Sequence, residues 1–122
     1  MLDKTPITFA GNLAADPQIN FTPNGDAVAN FTVMVNRRVK RGDSWEDGPA
    51  TSLLCELWQK NGSQKKEAEM FVESARRGDR VIGHGEVYTQ TWEKDGETRY
   101  RDQVRVIEVG MSTAWKVVQV KE

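Results

Sequence analysis

Tyr88, Gln90, Trp92, Arg99, Arg101, Gln103 and Arg105 all fall between Val81 and Val109, in two alternating runs separated by Asp95-Gly96. An Asp-Gly pair at such a junction predicts a two-residue hairpin loop, because both residues tolerate the positive φ of a type I′ turn. That loop sets Lys94 opposite Glu97, Trp92 opposite Arg99, Gln90 opposite Arg101, Tyr88 opposite Gln103 and Glu86 opposite Arg105. Side chains alternate along a strand, so the seven residues share one face. Val87, Thr89, Thr91, Tyr100, Val104 and Val106 take the other face, a fair core side near the hairpin base. Rings beside guanidinium groups on an exposed ribbon suit a flexible polyanion with flat bases: bases stack on rings and phosphates pair with cations. A structural alternative for Trp92 is a cross-strand cation–π pair with Arg99, worth about 0.5–1 kcal/mol at an exposed site.

Further candidates lie outside the hairpin. Arg37, Arg38, Lys40 and Arg41 crowd one short segment, and Lys40 and Arg41 read as phosphate contacts rather than salt-bridge partners, despite Asp43, Glu46 and Asp47 nearby. Trp45 stands among turn formers, where a large ring is poor core material; function and a ring folded onto the domain surface weigh evenly there. Trp58 sits on a mixed face with Leu54 and Glu56, and Trp115 reads as packing or a subunit contact. His84 reads as structural, and Cys55 as a small apolar core residue.

The balance of 17 Lys and Arg against 18 Asp and Glu gives a net charge of −1. Polyanion binders are usually basic overall, so placement must carry the argument. Glu67, Glu69 and Glu73 cluster on a predicted helix, away from the arginine stripe. One cysteine and one histidine exclude an intrachain disulfide and a zinc site of the usual ligands. No nucleophilic triad, phosphate loop or metal-ligand set emerges, so neither an enzyme nor a cofactor is expected. No apolar run is long enough to span a bilayer and Met1–Ala10 lacks the pattern of a signal peptide, which predicts a cytoplasmic protein with no membrane partner.

The elements that must position these residues follow from alternation and turn chemistry. Thr5 to Leu13 reads as a strand, bent at Gly11 and Ala15-Asp16-Pro17, with Ile19 and Phe21 continuing it. Asn24-Gly25 centres a turn. Ala27, Ala29, Phe31, Val33 and Val35 then form the clearest apolar strand face. Residues 37–50 read as a long loop or a protruding hairpin end. Thr51 to Gln59 is a third strand, with Leu53, Cys55 and Leu57 on one face. Ala68, Phe71, Val72 and Ala75 make a helical stripe, with Gly78 at the C′ position behind Arg76 and Arg77. Gly83 and Gly85 mark a bulge or tight bend. Five bent strands with one helix between the third and fourth is the order of an OB-fold, an all-β five-stranded Greek-key barrel. The domain is expected over 1–110, followed by a C-terminal extension over 111–122.

Several stretches resemble bacterial single-stranded DNA-binding proteins of the SSB family: Ile7–Leu13 (ITFAGNL), Ala15-Asp16-Pro17, Phe21–Gly25 (FTPNG), Val28–Val33 (VANFTV), Arg77–Ile82 (RGDRVI) and Gln90–Glu97 (QTWEKDGE), followed by Arg99 and Tyr100. The match runs from about Thr5 to Gly110. It implies an OB-fold, a homotetramer built from dimers, no cofactor, and sequence-tolerant binding of single strands in replication, recombination and repair, in the cytoplasm and on the nucleoid. By position, Trp92 matches the family's stacking aromatic in the hairpin, Trp58 its aromatic at the end of the third strand, and Trp45 resembles a loop tryptophan of actinobacterial-type members. Ser52 stands where many members carry a further aromatic, and the passage from Gln59 to Glu67 is longer than usual. The family's flexible tail with an acidic tip has no counterpart before Gln119–Glu122, so the resemblance does not extend to recruitment of replication proteins. It fits a truncated chain or a phage- or plasmid-like member. The expected strand-binding residues are therefore Trp92, Arg99, Arg101, Arg105, Trp58, Trp45, Tyr88, Arg38, Lys40 and Arg41. The competing expectation is an OB-type protein-interaction or primosome-like assembly subunit whose affinity for nucleic acid is incidental.

Overall fold

The computed structural model describes residues 1–118, the side chain of Arg37 excepted. Its elements are β1 (Thr5–Leu13), β2 (Gln18–Phe21), β3 (Ala27–Arg41), β4 (Ser44–Gln59), α1 (Glu67–Ser74), β5 (Arg80–Lys94) and β6 (Glu97–Met111). The pairings β1–β5, β5–β6, β6–β4, β4–β3 and β3–β1 close a ring, and β2 lies along β3 outside it. All are antiparallel except β4–β6, where Cys55 aligns with Val104 and Glu56 with Arg105. This is the expected OB-fold, with the helix between the third and fourth strands of the ring. Residues 119–122 of the expected extension lie outside the described residues.

Alternation fills the ring. Phe9, Leu13, Ala27, Ala29, Phe31, Val33, Cys55, Leu57, Val81, Val104 and Val106 are buried together. Burial pushes the Cys55 thiol up to about 12, with the neighbouring Glu56 charge adding to the effect. The thiol therefore behaves as an apolar core atom. Helix α1 covers one end: Ala68 and Phe71 are buried, and the Phe71 ring sits 4.6 Å from that of Phe31. Burying such a ring stabilises the fold by about 1.5–3 kcal/mol.

Eight residues make a marginal helix, so its ends matter. Lys66 at the N-cap position offers no side-chain bond. Gln59, the last residue of β4, supplies it instead: its Oε1 accepts from the backbone N–H of Ala68 and of Glu69, both at 3.1 Å, and its Nε2 donates to Glu69 Oε2 at 2.9 Å. At the other end Arg76 Nη1 donates to the carbonyls of Val72 and Ala75. The expected C′ glycine is displaced: the helix stops at Ser74 with Ala75 extended, and Gly78, at φ 87°, serves the following turn. The arginine supplies what the glycine motif would have given.

Of the two readings of residues 37–50, the protruding hairpin end is the one observed, a paired ribbon. β3 and β4 continue to pair beyond the ring through Asn36 with Ala50, Arg38 with Asp47, Lys40 with Trp45 and Arg41 with Ser44, with an irregularity between Asn36 and Arg38. The turn formers at Gly42-Asp43 close the tip, and those at 47–49 are absorbed near the irregularity. Gly85 also has a steric reason. It faces a register shift in β5–β6, where Gly85 pairs with Val106 and His84 with Glu108, leaving Ile107 as the extra residue. A Cβ at Gly85 would collide with the backbone of Arg105 and Val106.

Behind β6, Ser112 N donates to the Arg80 carbonyl at 2.9 Å and Lys116 Nζ reaches Asp79 Oδ1 at 2.8 Å. That bond from Lys116 holds the Asp79 carboxyl below the usual carboxylate range, helped by the Arg76 backbone N–H and by both positive charges, against a smaller opposing effect of burial. Trp115, read from sequence as packing or a subunit contact, is 81% exposed within the monomer.

Candidate nucleic-acid interface

The predicted hairpin register is the observed one, from Lys94–Glu97 to Glu86–Arg105. Asp95 at φ 53° and Gly96 at φ 79° form the two-residue turn. The strands twist as they leave the ring, and residues 90–102 are all exposed. Tyr100 is therefore exposed, although alternation placed it on the core side: no core lies beneath the hairpin that far out.

Trp92 projects outward and is 37% exposed. Its cation partner is not the directly opposed Arg99 but Arg101, whose Cζ lies 5.5 Å from the ring centroid. Strand twist brings the diagonal neighbour over the ring. Arg99 turns instead to Glu97, at 3.6 Å.

Four residues further back on the same face of β5, about 13 Å along the strand, the guanidinium of Arg105 lies 5.3 Å from the Tyr88 ring centroid. Beneath them is a group that the sequence did not single out. Glu56 on β4 is only 8% exposed. Its Oε1 accepts from the Tyr88 hydroxyl at 2.8 Å and from Arg105 Nε at 3.4 Å, and Gln103 Oε1 lies 3.1 Å from the same hydroxyl. Burial, then the bond to Glu56 and its charge, raise the Tyr88 phenol above its ordinary value. Tyr88 thus stays a neutral donor. Alternation placed Glu56 on the outer face beside Trp58, but it carries no sign that side chains from two other strands, β5 and β6, close over the carboxylate.

Two residues beyond Glu56, Trp58 (39% exposed) lines an open hollow of about 350 Å³ with Asp26, Gln59, Lys60 and Arg105. Lys60 is a second cation that sequence reasoning passed over, since it falls where the strand ends. The outer faces of β5 and β6 thus carry Trp92 with Arg101 and Tyr88 with Arg105, and Arg105 leads on to the hollow that Trp58 and Lys60 also line.

The β3–β4 arm holds the other candidates. Lys40 and Trp45 are cross-strand neighbours, both exposed. Arg41 departs from the sequence expectation, since its Nε pairs with Glu46 at 3.3 Å, and Arg38 Nη1 pairs with Asp47 at 3.0 Å. The arm places alternating charges across a two-stranded ribbon, so the acids meet the bases. Such exposed pairs are weak, about 0–1 kcal/mol, and a phosphate can displace the carboxylate. Among the described residues, no hydrogen bond, ion pair or ring contact joins this group to the β5–β6 group.

The model of the single-strand binding protein family matches residues 5–112. The chain is 39% identical over 125 residues to the single-stranded DNA-binding protein of Mycobacterium tuberculosis (strain ATCC 25618 / H37Rv), covering all of this chain and 73% of that protein. It is 36% identical over 123 residues to the protein of the same name from Paenarthrobacter aurescens, covering 98% and 68%. Among solved structures, the small single-stranded DNA-binding protein from Streptomyces coelicolor superposes with a TM-score of 0.74 at 21% identity, covering 93% of this chain and 98% of that one; this likeness concerns the fold. A family match over nearly the whole ring, and relatives aligned end to end with the chain, lead to one conclusion: this chain belongs to the single-strand binding protein family.

Proposed function

We propose that the chain binds single-stranded DNA with little sequence preference, in replication, recombination and repair. The observation that carries this reading is the outward series of ring–cation pairs, Trp92 with Arg101 and Tyr88 with Arg105, leading to the Trp58 hollow. Bases stack on the rings, and phosphates meet Arg99, Arg101 and Arg105, joined on the arm by Arg38, Lys40, Arg41 and the Trp45 ring. Stacking accepts every base and no base edge needs reading, so sequence preference is weak. The names of the relatives support the same ligand.

The binding unit is residues 1–110, acting from the cytoplasm on nucleoid DNA as a homotetramer built from dimers. Ile82 and Ile107, both more than half exposed on the outside of the ring, support self-association. Native mass measurement tests it, and a monomer at micromolar concentration would remove it.

Titration with poly(dT) at low salt tests the binding itself. Tryptophan emission is strongly quenched, and affinity falls steeply as salt is added. An unchanged signal with no gel shift would favour a protein-interaction subunit, the reading that the net charge of −1 favours.

A further inference from the structure

A carboxylate set into a track for a polyanion is a liability unless it has a task. Among the described residues only Glu56 and Gln59 are polar and buried. Gln59 is accounted for by the helix it caps. Glu56 is not accounted for by packing: its acceptor oxygen holds two groups, the Tyr88 hydroxyl and Arg105 Nε, both belonging to the outward face.

We propose that Glu56 is a positioning residue, which aims Arg105 at the phosphate of a nucleotide stacked on Trp58. The inference rests on the single-strand-binding reading above. Its geometry is a three-point hold. Glu56 Oε1 takes the Nε edge of the guanidinium, the Arg105 Cζ sits over the Tyr88 ring, and the ladder fixes Arg105 beside Glu56. Glu56 takes the Nε edge and the Tyr88 hydroxyl also interacts with the guanidinium, and of its five N–H donors those beyond these two partners remain for a ligand. They belong to a side chain that is 59% exposed and lines the hollow with Trp58 and Lys60. An Arg fork binds phosphate through paired N–H groups, and an oriented fork loses less rotamer freedom on binding. Burial keeps the carboxylate away from the passing phosphates, while its charge stays on the inner edge of the guanidinium.

The test compares the full chain with Glu56→Leu, Glu56→Gln, Arg105→Ala and the Glu56→Leu/Arg105→Ala double variant, by fluorescence titration with oligo(dT) over a salt series. Leucine fills the site without an acceptor; the Arg105 side chain is 59% exposed, so water solvates the charge left behind, and circular dichroism verifies that the fold is kept. Arg105→Ala weakens binding and flattens the plot of log affinity against log salt by about 0.7, one phosphate contact on a single strand. Glu56→Leu weakens binding roughly three- to tenfold through an ill-placed Arg105, Glu56→Gln recovers most of that loss, and the double variant binds no more weakly than Arg105→Ala alone. Affinity of Glu56→Leu equal to or above the parent's would overturn the proposal, since Glu56 would then be idle or a competitor for Arg105. Additive losses in the double variant would overturn it too, by showing an effect that does not pass through Arg105. Failure of the parent itself to bind would remove the single-strand reading, and this proposal with it.

Discussion

Arg101 Cζ lies 5.5 Å from the Trp92 ring centroid, on the diagonal of the β5–β6 ladder. The ring is thus backed by a cation and still open to solvent. Trp92→Ala weakens binding of a single strand by about 1–3 kcal/mol, the usual worth of one base–ring stack, and shifts the folding midpoint little because no core lies under the hairpin tip. Arg101→Ala loses less affinity but lowers the salt slope by about 0.7. Titration of both variants beside the parent decides it. Parental affinity in Trp92→Ala would take that ring out of the interface.

Helix α1 rests on a residue outside itself. Gln59→Ala strips three hydrogen bonds and leaves the buried Ala68 N–H without its acceptor. The expected cost is about 1–3 kcal/mol, seen as a lower urea midpoint at unchanged m value. A midpoint equal to the parent's would mean that water caps the helix equally well.

Asp79 gives the fold a pH dependence with a definite sign. Its carboxyl is held low in the folded chain, chiefly by Lys116, so the stabilisation is complete above the ordinary aspartate range. It is lost as pH falls below about 4, through the depressed value. Lys116→Ala removes the principal cause. Thermal midpoints of parent and variant therefore differ at pH 6 and converge toward pH 2–3. A gap that stays constant over that range would show that Lys116 acts by packing alone.

What could be read in advance follows from the range over which each interaction acts. Asp95-Gly96 fixes a turn locally, and the turn fixes every partner along the hairpin, so the shared face of Tyr88, Trp92 and Arg105 was legible. The diagonal seat of Arg101 was not, because pairing rules treat strands as flat and the ribbon twists. Residues 37–50 stayed ambiguous because Asp47, Gly48 and Pro49 carry turn chemistry that the structure spends on an irregularity in a continuous ribbon. Glu56 and Gln59 depend on contacts with strands or a helix distant in sequence, and periodicity cannot report such contacts. The helix stripe of Ala68, Phe71 and Ala75 was visible, but its termination was not: Gly78 reads as the C′ residue behind Arg76 and Arg77, whereas the helix stops at Ser74 and Arg76 takes the last carbonyls.

The β3–β4 arm and the β5–β6 tip are anchored at their roots and carry almost no buried side chains beyond them. Such ribbons open locally at small free-energy cost, whereas the ring opens only with the whole fold. The molecule is thus a stiff drum bearing two compliant fingers. A polymer whose backbone turns at every step can be followed by bending a finger, with no rearrangement of the drum.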